Sequence, residues 1–242
     1  MKTSDAWLDY ADGPQACKGL LVAGEAPTRP RPGVVLFPDA RGMGEAAKEC
    51  ARRLVGEGYV VLVADLYGQA TFVAELPEAV RLMNELRGDV ARWRQRARAA
   101  LEALARQPGV DGRKLAAIGY CFGGSTALEL ARSGAALGAV VSFHGGLASP
   151  RLEDAINIKG RVLVCHGAAD PLVPPEQVAA FVAAMCGAPV DWQLHSYAGV
   201  VHGFTNPEAD NAGSPALAYN AAADRHSWQA MLALFAEVFG PA

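Results

Sequence analysis

The segment Gly119-Tyr120-Cys121-Phe122-Gly123-Gly124 sets a thiol between glycines two residues before it and two residues after it. It follows a β-like run, Lys114–Gly119, and leads at once into a helix of mostly small apolar residues, Ser125–Arg132. A Gly-x-nucleophile-x-Gly turn between strand and helix is a nucleophile elbow, which exposes its central side chain at the tip of a sheet. Such a turn strains the backbone of the central residue, and the glycines let strand and helix come that close. The dipole and free N–H groups of the helix's first turn favour a thiolate there. The chemistry indicated is attack by sulfur on a carbonyl carbon.

A cysteine nucleophile needs a base within hydrogen-bond reach, and the base needs an orienting partner. Asp170 follows the run Val162–Cys165 through His166-Gly-Ala-Ala, and His202 follows the run ending at Tyr197 through Ala-Gly-Val-Val. The chain order nucleophile, acid, histidine, each after a strand, casts Cys121 as nucleophile, His202 as base and Asp170 as the group that fixes its tautomer. Position names two backbone N–H donors for the developing oxyanion: Phe122, next after the nucleophile, and Ala40, in the loop after Gly33–Phe37. Asp39 and Arg41 flank Ala40 and either touch substrate or pair with each other to shape the loop.

The other histidines read as structural or exposed. His144 and His166 end interior strands, His195 lies within a strand, and His226 begins the final helix. Ser125, four residues past Cys121 in the helix, points away from the elbow tip. Arg92, Arg94, Arg96 and Arg98 surround an apolar stripe of Trp93, Ala97 and Leu101, which makes them a solvated helix face and not a basic patch.

These residues need a scaffold that brings strand ends together. Short apolar runs at Gly33–Phe37, Tyr59–Ala64, Lys114–Gly119, Leu137–Phe143, Arg161–Cys165 and Val190–Tyr197 alternate with helical stripes. Continuous apolar strands separated by helices predict an α/β fold with a mostly parallel central sheet, flanked by helices on both faces. In such sheets the ligand site lies beyond the carboxyl ends of the strands. At 242 residues and 51% hydrophobic, the chain is expected to form one domain over residues 1–242. The stretch from about Gly68 to Gly88 breaks the rhythm and is a candidate small cap near the site mouth.

A net charge of −3 gives no reason to expect nucleic acid or an anionic membrane as partner. No segment resembles a signal peptide or approaches the roughly 20 apolar residues of a membrane span, so a soluble cytoplasmic protein is expected, monomer or homodimer. The five cysteines show no Cys-x-x-Cys pair, which argues against a disulfide scaffold or a zinc site. Cys50 and Cys165 read as small core residues, Cys17 and Cys186 as partly buried thiols.

Taken together, Phe37-Pro-Asp-Ala-Arg-Gly42, Ala64-Asp-Leu-Tyr67, Gly119-Tyr-Cys-Phe-Gly-Gly124, His166-Gly-x-x-Asp170 and His202-Gly-Phe204 resemble the dienelactone hydrolase family, over nearly the whole chain. The resemblance implies an α/β-hydrolase fold and cleavage of a lactone or small carboxylic ester by a Cys–His–Asp triad, with neither cofactor nor metal. Two positions depart from the family pattern. Its best-studied members carry glutamate where Asp39 stands, and an arginine that clamps a substrate carboxylate where Asn206 stands. A further family arginine in the cap region has Arg81 and Arg87 as candidate matches. Dienelactone is therefore only one candidate substrate, and an uncharged ester or lactone is at least as good a candidate.

Competing readings are a catalytically silent binding protein on the same fold, and a redox-sensing thiol protein, which would want a resolving cysteine near Cys121. A dinucleotide fingerprint fails because it needs glycine where Cys121 stands.

Overall fold

The apolar runs become strands because their side chains can be buried alternately on two faces. In Val34-Val35-Leu36-Phe37, Val34 and Leu36 pack into one apolar cluster, and Val35 and Phe37 into another on the opposite side. All four are fully buried, and each such side chain contributes about 1.5–3 kcal/mol relative to exposure. The computed structural model describes residues 3–24 and 29–240; residues 1–2, 25–28 and 241–242 of the expected domain lie outside the described residues.

Among the described residues the strands are β1 (Thr3–Asp12), β2 (Gln15–Gly24), β3 (Arg31–Phe37), β4 (Val60–Val63), β5 (Val110–Tyr120), β6 (Ala139–Phe143), β7 (Arg161–Gly167) and β8 (Trp192–Tyr197). They form one sheet in the order β1-β2-β4-β3-β5-β6-β7-β8. Pairing is parallel from β4 through β8 and antiparallel where β2 meets β1 and β4. The helices are α1 (Glu45–Gly56), α2 (Leu76–Arg87), α3 (Val90–Ala105), α4 (Phe122–Arg132), α5 (Pro175–Cys186) and α6 (Ala221–Phe239). α1 and α6 cover one face, with Leu54, Met231 and Phe235 in its cluster. α3, α4 and α5 cover the other with Trp93, Leu128 and Phe181. This is the mostly parallel, two-faced α/β architecture expected from the sequence.

The structure differs from the sequence reading in several places. The β1–β2 hairpin was not foreseen; it turns at Gly13-Pro14, with Gly13 at φ +55°, and its register pairs Asp12 with Gln15. His226 does not begin α6, which starts at Ala221 because the Asn220 side chain accepts the Ala223 N–H and caps the helix there. Cys17 is fully buried in β2 and Cys186 is exposed at the end of α5, so neither is partly buried.

The larger correction concerns the arginines of α3. Only Arg92 fits a solvated face. Arg94 pairs with Glu129 and Asp154, and Arg98 donates to Ser133. Arg96 is 2% exposed; its Nε donates to Asp12 Oδ2 at 2.7 Å and its Nη1 to the Leu66 carbonyl at 2.7 Å. Arg96 therefore ties the end of β1 and the chain after β4 to α3. Removing one partner of a buried pair strands the other charge. Arg96→Met is expected to destabilise the protein by about 3–5 kcal/mol, read as a fall in the urea midpoint. A midpoint unchanged from wild type would show that the pair adds nothing.

Candidate active site

The elbow is built by close backbone approach. Cys121 sits between β5 and α4 with φ +54° and ψ −117°, a conformation that costs a non-glycine residue on the order of 1–3 kcal/mol. A Cβ on Gly123 would run into the Phe37 and Pro38 carbonyls, and one on Gly119 into Gly123 itself. Only glycine lets α4 descend onto the ends of β3 and β5. Phe122 is the first helical residue, so its N–H has no intrahelical acceptor.

Two loops deliver the remaining groups. Gly167 ends β7, and a Cβ there would meet the Val200 and Val201 carbonyls, so glycine lets the 167–170 loop lie against the 200–202 loop. The Ala169 N–H donates to the Val200 carbonyl and joins them. Asp170 is 4% exposed; its Oδ1 accepts the Leu172 N–H at 2.8 Å, and its Oδ2 accepts from His202 Nδ1 at 2.7 Å. That short contact is a charge-assisted hydrogen bond. His202 is itself fixed by its backbone, whose N–H and carbonyl bond to Ala216 and Ala218.

With Nδ1 bound to Asp170, the free nitrogen of His202 is Nε2, which is buried and has no hydrogen-bond partner among the described residues. Burial works against a charged His202. The Asp170 carboxylate and the neighbouring Cys121 sulfur outweigh it and lift its pKa to about 10. Cys121 Sγ thus lies close enough to His202 to act on its charge.

The loop after β3 holds Asp39, Ala40 and Arg41. The Ala40 N–H has no acceptor among the described residues, while its carbonyl accepts the Tyr67 hydroxyl at 2.9 Å. Tyr67 stacks on Phe122, and Phe122 on Trp93, with ring centroids 6.5 and 5.4 Å apart. Asp39 and Arg41 pair with each other, one of their two expected arrangements, but through the Arg41 backbone and not its guanidinium. Asp39 Oδ1 accepts the Arg41 backbone N–H at 2.8 Å, and the Arg41 guanidinium reaches the Ala74 carbonyl. Burial pushes the Asp39 carboxyl above the usual range, against the Arg41 N–H, the Arg41 guanidinium and His202. The Met43 N–H donates to the Thr71 carbonyl, and the Val73 N–H to the Arg41 carbonyl. The stretch 71–74, within the candidate cap, is therefore laced to this loop, and α2 follows it.

Some site residues escaped the sequence reading. Tyr67 was noted only within a motif, yet its hydroxyl aims the Ala40 peptide, and the nearby Asp39 and Cys121 charges add to the burial that raises its pKa. His144 packs edge-on to His202, with ring centroids 5.1 Å apart. His166 is buried with no partner for Nδ1 among the described residues, close enough to Asp170 and His202 to feel both charges. Cys50 packs half-buried against the apolar cluster under α1 and α6, as expected, and also lies 3.1 Å from the Tyr120 hydroxyl under the elbow. Among the described residues, no cluster of three or more His, Cys, Asp or Glu side chains could hold a metal ion.

The model of the dienelactone hydrolase family matches residues 18–239. The chain belongs to the dienelactone hydrolase family. It is 48% identical to a crystal structure described as a dienelactone hydrolase-like promiscuous phosphotriesterase from metagenomic libraries, with a TM-score of 0.95, covering 99% of this chain and 100% of that one. A Yersinia pestis protein provisionally named a carboxymethylenebutenolidase is 27% identical over 230 residues, 87% of this chain and 79% of its own. A dienelactone hydrolase structure from Anabaena variabilis, 22% identical with a TM-score of 0.68 over 96% of this chain and 99% of its own, shares the fold. The protein is an α/β-hydrolase-fold enzyme, a carboxylic-ester hydrolase of the dienelactone hydrolase type. No helix among the described residues is long and apolar enough to cross a membrane.

Proposed function

We propose that this dienelactone hydrolase family member cleaves a small uncharged ester or lactone through Cys121, His202 and Asp170, with a thioester on Cys121 as intermediate. The observation that carries this reading is the 2.7 Å Asp170–His202 bond, which leaves Nε2 as the free nitrogen beside the elbow thiol. The proton shared by Cys121 and His202 rests on His202 Nε2, where Asp170 and Cys121 favour it, as sulfur adds to the carbonyl carbon. The oxyanion is held by the Ala40 and Phe122 N–H groups. Collapse breaks the C–O bond, and the alkoxide leaves with the proton from His202. A water, deprotonated by His202, then adds to the thioester, and its collapse releases the acid and restores the thiol.

Support for an uncharged substrate comes from the family arginine positions. Asn206 accepts the Glu208 N–H at 3.0 Å and caps the 3₁₀ turn Pro207–Ala212, so no guanidinium stands there to bind a carboxylate. Arg81, one candidate for the other family arginine, pairs with Glu78 and Glu85 on α2. Thiolate is also a better leaving group than an amine from the tetrahedral intermediate, which disfavours amides. We place Asp39 and Arg41 as loop-shaping groups beside the oxyanion site.

The test is a rate panel of a short-chain p-nitrophenyl ester, an uncharged lactone, a dienelactone and the p-nitroanilide matching the ester. Turnover of the ester and the uncharged lactone, a slower dienelactone and a silent anilide are expected. Efficient anilide cleavage, or ester inertness, would overturn the reading. An aryl dialkyl phosphate belongs in the same panel, because the 48% identical structure is described as a promiscuous phosphotriesterase. Phosphotriester turnover that disappears with Cys121→Ala would assign that activity to the same thiol.

A further inference from the structure

His144 has a connection that a merely space-filling histidine would not need. It is 3% exposed at the end of β6, and its φ of +41° lies in the left-handed region that non-glycine residues seldom occupy. Strain of this kind persists only where the surroundings hold it. The Cys121 N–H is shared between the Phe143 carbonyl at 3.0 Å and His144 Nδ1 at 3.2 Å. Because Nδ1 accepts, the neutral ring carries its proton on Nε2, which donates to Thr205 Oγ1 at 2.9 Å. Thr205 lies three residues beyond His202, and the His144 ring meets the His202 ring edge-on. Burial, helped by the His202 charge, holds the His144 pKa well below the ordinary histidine value, which agrees with the neutral form this bonding requires.

We propose that His144 is a positioning residue, a bracket that joins the backbone of the nucleophile to the loop carrying the base and so sets the Cys121–His202 separation. The inference rests on the triad reading above. A displacement of about 1 Å between reacting groups can lower a rate by about 10²-fold, which is the scale on which such a bracket acts.

Two substitutions separate bracket from filler. His144→Phe keeps a ring against His202 and loses both hydrogen bonds. His144→Asn keeps an acceptor near the Nδ1 position and a side chain that tolerates left-handed backbone. Each is compared with Thr205→Val and Cys121→Ala by kcat and KM on p-nitrophenyl acetate, and by melting temperature. For His144→Phe, kcat is expected to fall by about 10- to 100-fold with KM within about threefold, while the Asn variant, which keeps the Cys121 bond alone, and Thr205→Val each lose less than Phe. A His144→Phe enzyme with wild-type kcat would overturn the proposal. So would Phe and Asn variants impaired equally and in step with their melting temperatures, which would make His144 structural only. If His144→Phe does not fold, Thr205→Val and His144→Asn decide: wild-type kcat in the first, or a fall in the second that only follows its melting temperature, refutes the bracket. Hydrolysis surviving in Cys121→Ala would instead sink the triad reading itself.

Discussion

Cys121→Ala is expected to lower kcat/KM for a short-chain p-nitrophenyl ester by on the order of 10⁴–10⁶, with the fold unchanged. The size follows from what remains. The proposed oxyanion donors at Ala40 and Phe122 and the buried Asp170–His202 pair stay in place, but no atom is left to form the proposed acyl intermediate. Alanine is no larger than cysteine, so the packing of α4 on β3 and β5 survives, and circular dichroism should match wild type. Residual turnover would come from water activated by His202 over the intact donors. Rates within about tenfold of wild type would mean that another group carries the attack.

Asp170→Asn is expected to cost about 10⁴ in kcat with the site still assembled. An asparagine amide can offer its N–H₂ to His202 Nδ1. It would then hold the ring with its proton on Nε2, where the thiol proton must be received. The substitution also removes the carboxylate whose hydrogen bond does most to lift the His202 pKa to about 10 against the cost of burial. The folded protein binds the His202 proton more tightly than the unfolded chain does, whose histidine titrates near 6.5. That stabilisation is fully present below the unfolded value and is lost as pH rises through about 10. The melting temperature of Asp170→Asn should therefore trail wild type by more at pH 6 than at pH 10.5, a comparison set by the lifted pKa. An equal deficit at both would show that the Asp170 charge contributes nothing through His202.

What could be read from the sequence was whatever is written locally. The elbow is a run of consecutive residues, and the strands that carry Asp170 and His202 are continuous apolar segments, so their order along the chain implied their meeting at one sheet edge. Contacts made across the fold left weaker marks. Arg96 looked like one of four solvated arginines because its partner, Asp12, is 84 positions away on a strand that was itself not recognised. β1 hid because Asp5 and Asp9 break its apolar pattern and most of it is exposed at the sheet edge. The Gly13-Pro14 pair between two such runs was the available sign of the hairpin. His144 was set aside as a strand-end residue, since nothing in its neighbours on the chain reveals that its two ring nitrogens reach Cys121 and Thr205. Asp39 and Arg41 were correctly placed in the loop that carries Ala40, yet the partner of the Arg41 guanidinium, Ala74, is supplied by the stretch before α2.

The central claim is that Cys121 forms a covalent acyl intermediate, and acid-quenched mass spectrometry tests it most directly. Enzyme mixed with p-nitrophenyl acetate and quenched within the first turnovers should gain one acetyl group, mapped by peptide digestion to Cys121 as a thioester that hydroxylamine removes. Asp170→Asn should reach the same adduct more slowly. An enzyme that turns over the ester while Cys121 stays unmodified at every quench time, or whose acetyl group maps elsewhere, would contradict the account.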